Sequence, residues 1–271
     1  MPELPEVETT LRGIRPHLID QSVKAVVVRQ RQLRVPVSRG LKSKLKDQVV
    51  RDIERRAKYL LFHFDCGTLA IHLGMSGRLR VISASAPIDK HDHVDLLFHN
   101  GAQLRFRDPR RFGLVVWLGK RPLTSRWLAH LGPEPLSDNF NGDYLYSRSA
   151  NRRGAVKNFI MDGRIVVGVG NIYASAALHQ AHIPPARGAG RISRRRYDDL
   201  CLAIKCVLAR AIDAGGTTLR DYVSADGVPG FFEQQLAVYG REGSPCGLCS
   251  TPIRRRVIGQ RSSFFCSQCQ H

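Results

Sequence analysis

Val94-Asp95-Leu96-Leu97-Phe98-His99-Asn100-Gly101-Ala102-Gln103-Leu104-Arg105-Phe106 is the stretch whose reading decides the fold of the first half of the chain. Val94, Leu96 and Phe98 fall on one side of an extended backbone, as do Leu104 and Phe106, which is the period of a strand with one buried face. Asn100-Gly101 between them is a strong hairpin signal, because both residues tolerate the positive φ that a tight reversal needs. Working outward, similar short apolar runs occupy residues 23–28, 59–64, 69–73, 79–82 and 114–118, with no helical texture between them. Many short antiparallel strands in series predict a sandwich or barrel.

The two ends of the chain differ from this middle. From Pro5 the apolar residues Val7, Leu11, Ile14 and Leu18 have helical spacing, with a proline in the first turn and Glu6 and Glu8 where acids suit a helix N-terminus. Beyond the proline-rich junction Leu131-Gly132-Pro133-Glu134-Pro135-Leu136 the texture becomes helical, over 144–150, 155–161, 171–181 and 194–214, and Gly215-Gly216 supplies a stop. The expected fold class is therefore α+β in two domains: a helix plus an antiparallel β-sandwich over 1–131, a helical domain over 132–235, and a small module over 236–271. Within the second, residues 215–232 have too little apolar periodicity for an element and read as a long functional loop.

Cysteine spacing defines the last module. Of seven cysteines, four form Cys246-x2-Cys249-x16-Cys266-x2-Cys269, two knuckles that can close one tetrahedral site. Four thiolates leave the metal no open position, so one structural Zn2+ is expected. Cys66, Cys201 and Cys206 read as packing residues. A hairpin over 254–258 and 262–265 is expected between the knuckles, with Gly259-Gln260-Arg261 at its tip.

Charge narrows the partner. The chain carries 42 Lys and Arg against 23 acids, a formal net of +19. The excess is spread over both halves, 24 basic to 12 acidic in residues 1–133 and 18 to 11 in residues 134–271. A polyanion spanning both halves is the economical partner, and nucleic acid fits better than anionic lipid because no basic membrane-surface helix is visible.

Met1-Pro2-Glu3 adds chemistry. Trimming of the initiator would expose Pro2 as a secondary amine beside a carboxylate, and an α-amino group with a pKa of about 8 is partly unprotonated near neutrality. Such an amine can attack an aldehyde carbon. Lys58, before an apolar run, and the loop sequences His72-Leu73-Gly74-Met75-Ser76-Gly77, Lys90-His91-Asp92-His93 and Asp108-Pro109-Arg110-Arg111-Phe112-Gly113 hold polar residues that a plain sandwich does not require.

These motifs, with Pro2-Glu3-Leu4-Pro5-Glu6-Val7-Glu8-Thr9 and Arg56-Ala57-Lys58-Tyr59-Leu60, resemble the bacterial formamidopyrimidine-DNA glycosylase family essentially from end to end. The resemblance implies a bifunctional DNA glycosylase and abasic-site lyase that flips and excises 8-oxoguanine and ring-opened purines from double-stranded DNA. Pro2 would be the nucleophile at the sugar C1′, with Glu3 assisting proton transfer, and Lys58 and Arg261 would serve phosphate binding and elimination. His72, His91, Arg152, Lys157 and Asn171 would contact DNA. Met75, Arg110 and Phe112 would fill the space of the flipped nucleotide and meet the orphaned cytosine. Asn171 would open the second helix of a helix-two-turn-helix, and residues 215–232 would cap the lesion, with the Thr217 backbone sensing 8-oxoguanine. The family places a Glu shortly after Asn171 where this chain has Ala176. A monomer in the bacterial cytoplasm, associated with the nucleoid through DNA, is implied, with no membrane partner. Leu4 favours this family over its relative acting on oxidised pyrimidines, endonuclease VIII. Pro2, Glu3, Lys58 and Arg261 together disfavour a catalytically silent DNA-binding paralogue.

Overall fold

The computed structural model of the chain describes residues 2–83, 85–216 and 236–271. The expected lesion-capping loop lies, from Thr217 onward, outside the described residues. The chain divides into two compact units, one comprising residues 2–130 and 214–216, the other Leu131–Asp213 and 236–271.

The first unit opens with helix α1 (Leu4–Leu18), which buries Leu4, Val7, Leu11, Ile14 and Leu18 along one stripe. Glu3 is its N-cap and closes a reciprocal capping box with Glu6, whose Oε2 accepts from the Glu3 backbone N at 2.7 Å. Such a box contributes about 1 kcal/mol. It holds the N-terminus on the helix, and Pro2 and Glu3 are both buried.

Strand β1 (Val23–Val28) and the short helix α2 (Leu41–Leu45) lead into seven further strands: β2 (Asp52–Arg56), β3 (Tyr59–Phe64), β4 (Gly67–His72), β5 (Arg78–Ser83), β6 (Asp92–Phe98), β7 (Ala102–Arg107) and β8 (Leu114–Gly119). They make two antiparallel sheets, ordered β1-β6-β7-β5 and β2-β3-β4-β8. Leu96, Phe98, Leu104 and Phe106 of one sheet and Leu60, Phe62, Leu69 and Ile71 of the other share a single core with the apolar stripe of α1. The decisive hairpin is present in a three-residue form. Gly101 N donates to Phe98 O at 3.2 Å, Gly101 alone takes positive φ (86°), and Asn100 Oδ1 accepts from Ala102 N.

Two elements of this unit have no signature in the sequence. β2, Asp52-Ile53-Glu54-Arg55-Arg56, is an edge strand with only Ile53 buried, and its charges suit an edge that must resist pairing with other chains. α2 spans five residues, too few for a helical period to show.

In the second unit, α3 (Gly142–Ser149), α4 (Val156–Met161), α5 (Asn171–Gln180) and α6 (Arg194–Asp213) form the helical layer, with α6 packed on α3 and α5. α6 buries Tyr197, Leu200, Ile204, Val207, Leu208 and Ala211, its helical stripe. Cys201 lies in the same core, donates to Phe140 O at 3.3 Å, and burial pushes its thiol up to about 11, in keeping with a packing role. Strands β9 (Arg254–Ile258) and β10 (Arg261–Phe265) form the ribbon. Here the expected tip needs correction: Arg261 pairs with Ile258 as the first residue of β10, and the turn is Gly259-Gln260 alone. Both take positive φ, 54° and 61°, as a type I′ turn requires. Among the described residues no helix is long and apolar enough to cross a membrane.

Candidate nucleic-acid interface and zinc centre

The loops that follow β4 and β7 are built around one residue. Asp108 is fully buried, and each of its polar atoms is engaged. Oδ1 accepts from Ser76 Oγ and Oδ2 from Gly113 N, both at 2.7 Å. Its carbonyl accepts from Arg111 N at 3.2 Å and lies 2.8 Å from His93 Nε2, while its own N donates to His91 O at 3.0 Å. Ser76 Oγ in turn accepts from Arg110 N at 3.2 Å. The backbones touch as well: a Cβ on Gly74 would lie 2.4 Å from the Phe112 carbonyl carbon, so only glycine fits there.

The consequence is visible at the surface. Met75 and Phe112 are 37% and 44% exposed, and the Arg110 guanidinium lies over the Phe112 ring at 4.9 Å. Three of the expected site residues thus stand together on two interlocked loops, and His91 is tied to the same aspartate through its carbonyl. Sequence inspection finds the loop ends but not the organiser, because Asp108 and Ser76 are 32 residues apart with no local pattern joining them.

Lys58 and His72 also meet. Arg56 pairs with Tyr59, so Ala57-Lys58 forms a two-residue turn with Ala57 at φ 56°. Tyr59 pairs across to His72, and the rings contact edge to face with centroids 4.8 Å apart. His72 Nδ1 accepts from Gly74 N at 2.9 Å. Burial, then the positive charges of Lys58 and Arg34, push the imidazole down to about 3. With Nδ1 accepting, the neutral ring presents Nε2–H as a donor, which suits a phosphate oxygen without adding charge. Arg55 joins this turn to α1, donating to Glu8 Oε2 at 2.8 Å and to Ala57 O at 3.1 Å.

In the second unit the four cysteine Sγ atoms all lie within 4.8 Å of one another, with Cys249–Cys266 and Cys249–Cys269 at 3.4 Å and Cys246–Cys269 at 3.9 Å. A zinc tetrahedron with bonds of about 2.3 Å needs sulfurs about 3.8 Å apart, so the set fits. The cluster holds one structural Zn2+, which closes the ends of a ribbon too small to fold alone. His179 on α5 reaches the same site, its Nε2 lying 3.6 Å from Cys246 Sγ, and the sequence reading missed it for want of any spacing signal. At the chain's end Gln270 donates to Ile183 O, and Arg196 donates to the oxygen of His271, so that residue anchors the ribbon module to α6.

Lys157 requires a correction. It is fully buried on α4 and donates to Ser263 Oγ at 2.7 Å and Ser262 O at 3.2 Å, so it supports the ribbon and does not face DNA. A buried ammonium must be hydrogen-bonded, and the ribbon supplies two of its acceptors. Asn171, the first residue of α5, shares in this: its Nδ2 donates to Ser262 O at 3.1 Å. The turn is seated too, since a Cβ on Gly259 would meet the Asn158 amide at 2.5 Å. Arg152 stays exposed, stacked over Phe159 at 5.8 Å, and Arg261 stays exposed at the start of β10.

A helix-backed sandwich, then a helix-two-turn-helix unit bearing a four-cysteine ribbon, defines a class by architecture, and comparison with known proteins agrees. Family models match as Formamidopyrimidine-DNA glycosylase N-terminal domain over residues 1–115, Formamidopyrimidine-DNA glycosylase H2TH domain over 131–223, and Zinc finger found in FPG and IleRS over 243–271. The chain belongs to the formamidopyrimidine-DNA glycosylase family. It is 58% identical to the formamidopyrimidine-DNA glycosylase of Syntrophotalea carbinolica and 55% identical to that of Stutzerimonas stutzeri, over 270 residues and 100% of both chains in each case. Among solved structures, it is similar to the MutM (Fpg) protein of Thermus thermophilus (37% identity, TM-score 0.88, 99% of this chain and 98% of that one). It also matches a Lactococcus lactis variant in complex with Fapy-dG-containing DNA (29% identity, TM-score 0.93, 100% of both).

Two outcomes are expected. Asp108→Ala strands the Ser76 hydroxyl and the Gly113 amide, and urea denaturation should show a loss of about 3 kcal/mol; a loss below about 0.5 kcal/mol would remove Asp108 as the organiser. His72 should stay neutral in NMR titrations from about pH 8 to pH 5. Because its folded value is depressed, its contribution to stability is complete above 6.5 and is lost as pH falls from there towards about 3. A ring that titrates near 6.5 would contradict the neutral-donor assignment.

Proposed function

We propose that this chain excises oxidised purines from duplex DNA through a covalent intermediate at Pro2 and then cleaves the abasic strand. The observation that carries the reading is the exposed Met75–Arg110–Phe112 group on loops locked by Asp108. Large apolar side chains held rigidly in solvent have a use when they enter a base stack, and a base inside a duplex must leave the stack before a protein amine can reach its sugar. The solved relatives from Lactococcus lactis are bound to Fapy-dG DNA and to abasic-site DNA, which supports the same substrate class here.

In this reading the initiator Met1 is removed, and the Pro2 nitrogen attacks C1′ of the flipped nucleotide. The bond from C1′ to the base breaks, the base leaves with a proton, and opening of the sugar ring gives an iminium ion. Glu3, at the N-cap of α1 beside Pro2, serves proton transfer. The iminium acidifies the adjacent C2′–H, so the 3′-phosphate leaves by β-elimination and the 5′-phosphate by δ-elimination. Lys58, the neutral His72, His91, Arg152, Arg261 and the N-terminal turn of α5 at Asn171 bind phosphates. Thr217 contributes to lesion recognition. The enzyme acts as a monomer in the bacterial cytoplasm, on the DNA of the nucleoid.

The test is borohydride trapping on a duplex with one 8-oxoguanine opposite cytosine, followed by peptide mass mapping. An adduct on Pro2 is expected, and Glu3→Gln should keep DNA binding while losing excision by roughly 100-fold or more. Trapping at another residue, or only on oxidised-pyrimidine duplexes, would overturn the assignment.

A further inference from the structure

The ribbon carries charges that the proposed chemistry does not use. β9 reads Arg254-Arg255-Arg256-Val257-Ile258, and its first four residues are exposed. In a strand, alternate side chains share a face, and directly paired residues of an antiparallel hairpin lie on the same side. The register is Arg254 to Phe265, Arg256 to Ser263 and Ile258 to Arg261. Arg254 and Arg256 therefore stand on the face of Arg261, while Arg255 belongs to the other face.

The two faces also differ in compensation. Arg255 Nη1 lies 3.5 Å from Glu242 Oε2. Among the described residues neither Arg254 nor Arg256 has an acidic partner. Their side chains leave the strand about 6.8 Å apart, two residues of rise. This face is also the one anchored to the helices: Ser263, paired with Arg256, is fully buried with its Oγ accepting from Lys157, and Ile258, paired with Arg261, is buried. The exposed arginines therefore border a fixed seat to which the Ser262 carbonyl and Gly259 also attach. Edge arginines can serve only to discourage strand pairing. That purpose does not require the unpaired charges to fall on the face of Arg261 while the charge on the opposite face is matched by an acid.

We propose that Arg254 and Arg256 bind successive phosphates of the duplex backbone, extending the footprint of Arg261 along the DNA. The inference rests on the reading of this chain as a duplex-DNA enzyme. These contacts are sequence-independent and lesion-independent, so they act on undamaged DNA as well and contribute to how the enzyme holds DNA during search.

The experiment measures equilibrium affinity for an undamaged duplex and for one with an abasic-site analogue, as a function of salt. The full-length wild type, Arg254→Gln/Arg256→Gln and Arg255→Gln are compared, with zinc content and melting temperature checked for each. The double variant should lower the slope of log K against log salt by about 1.8 on both duplexes, about 0.9 per phosphate contact. Arg255→Gln should leave the slope unchanged. Normal wild-type binding with an unchanged slope in the double variant overturns this inference alone, as does an equal loss in Arg255→Gln. Failure of the wild-type chain to bind duplex DNA overturns the underlying reading as well.

Discussion

The carboxylate of Asp108 accepts from a serine hydroxyl on one loop and a glycine amide on another, in a place water does not reach. What the loops after β4 and β7 present at the surface depends on that closure. Buried acceptors must be satisfied, and here each donor comes from a segment that would otherwise be free to move. The loops after β4 and β7 consequently have one arrangement, and Met75, Arg110 and Phe112 are placed by it. The cost of exposing two large apolar side chains is borne by the fold, as is common where a protein prepares a surface for a ligand.

The second unit solves a related problem with different means. A two-stranded ribbon is only marginally stable by itself, and zinc fixes its open end. The closed end is held by a buried ammonium and an amide that converge on the Ser262 carbonyl. His179 and the Gln270 side chain add contacts from α5 and the segment that follows it. Arg261 begins the strand that these contacts immobilise, so its guanidinium starts from a defined backbone position.

What the sequence made legible follows from the range of each interaction. Period-two alternation at Val94, Leu96 and Phe98, period-3.6 spacing at Val7, Leu11 and Ile14, and the four-cysteine spacing are all local, and each appears in the structure at the expected place. β2 escapes such a reading because an edge strand buries so little, and α2 because one turn carries no period. Lys157 is misread for a deeper reason. A lysine on a basic chain reads as a phosphate contact until its surroundings are known, and the acceptors that bury it are more than a hundred residues away in the ribbon. The organising role of Asp108 and the position of His179 beside the cysteines escape the sequence on the same ground, since their partners are distant in sequence and no spacing rule joins them. The expectation for Pro2 likewise rests on local information, since removal of Met1 would leave a secondary amine beside the Glu3 carboxylate.

The central claim is that one active site both releases the base and breaks the strand on its two sides. The most direct test incubates the protein with a duplex bearing a single 8-oxoguanine opposite cytosine and determines the DNA termini by mass spectrometry. The expected result is free base with a one-nucleotide gap flanked by phosphates, as β,δ-elimination from a Pro2 adduct requires. Base release that leaves the strand intact, or strand cleavage with the base still attached, would contradict the account.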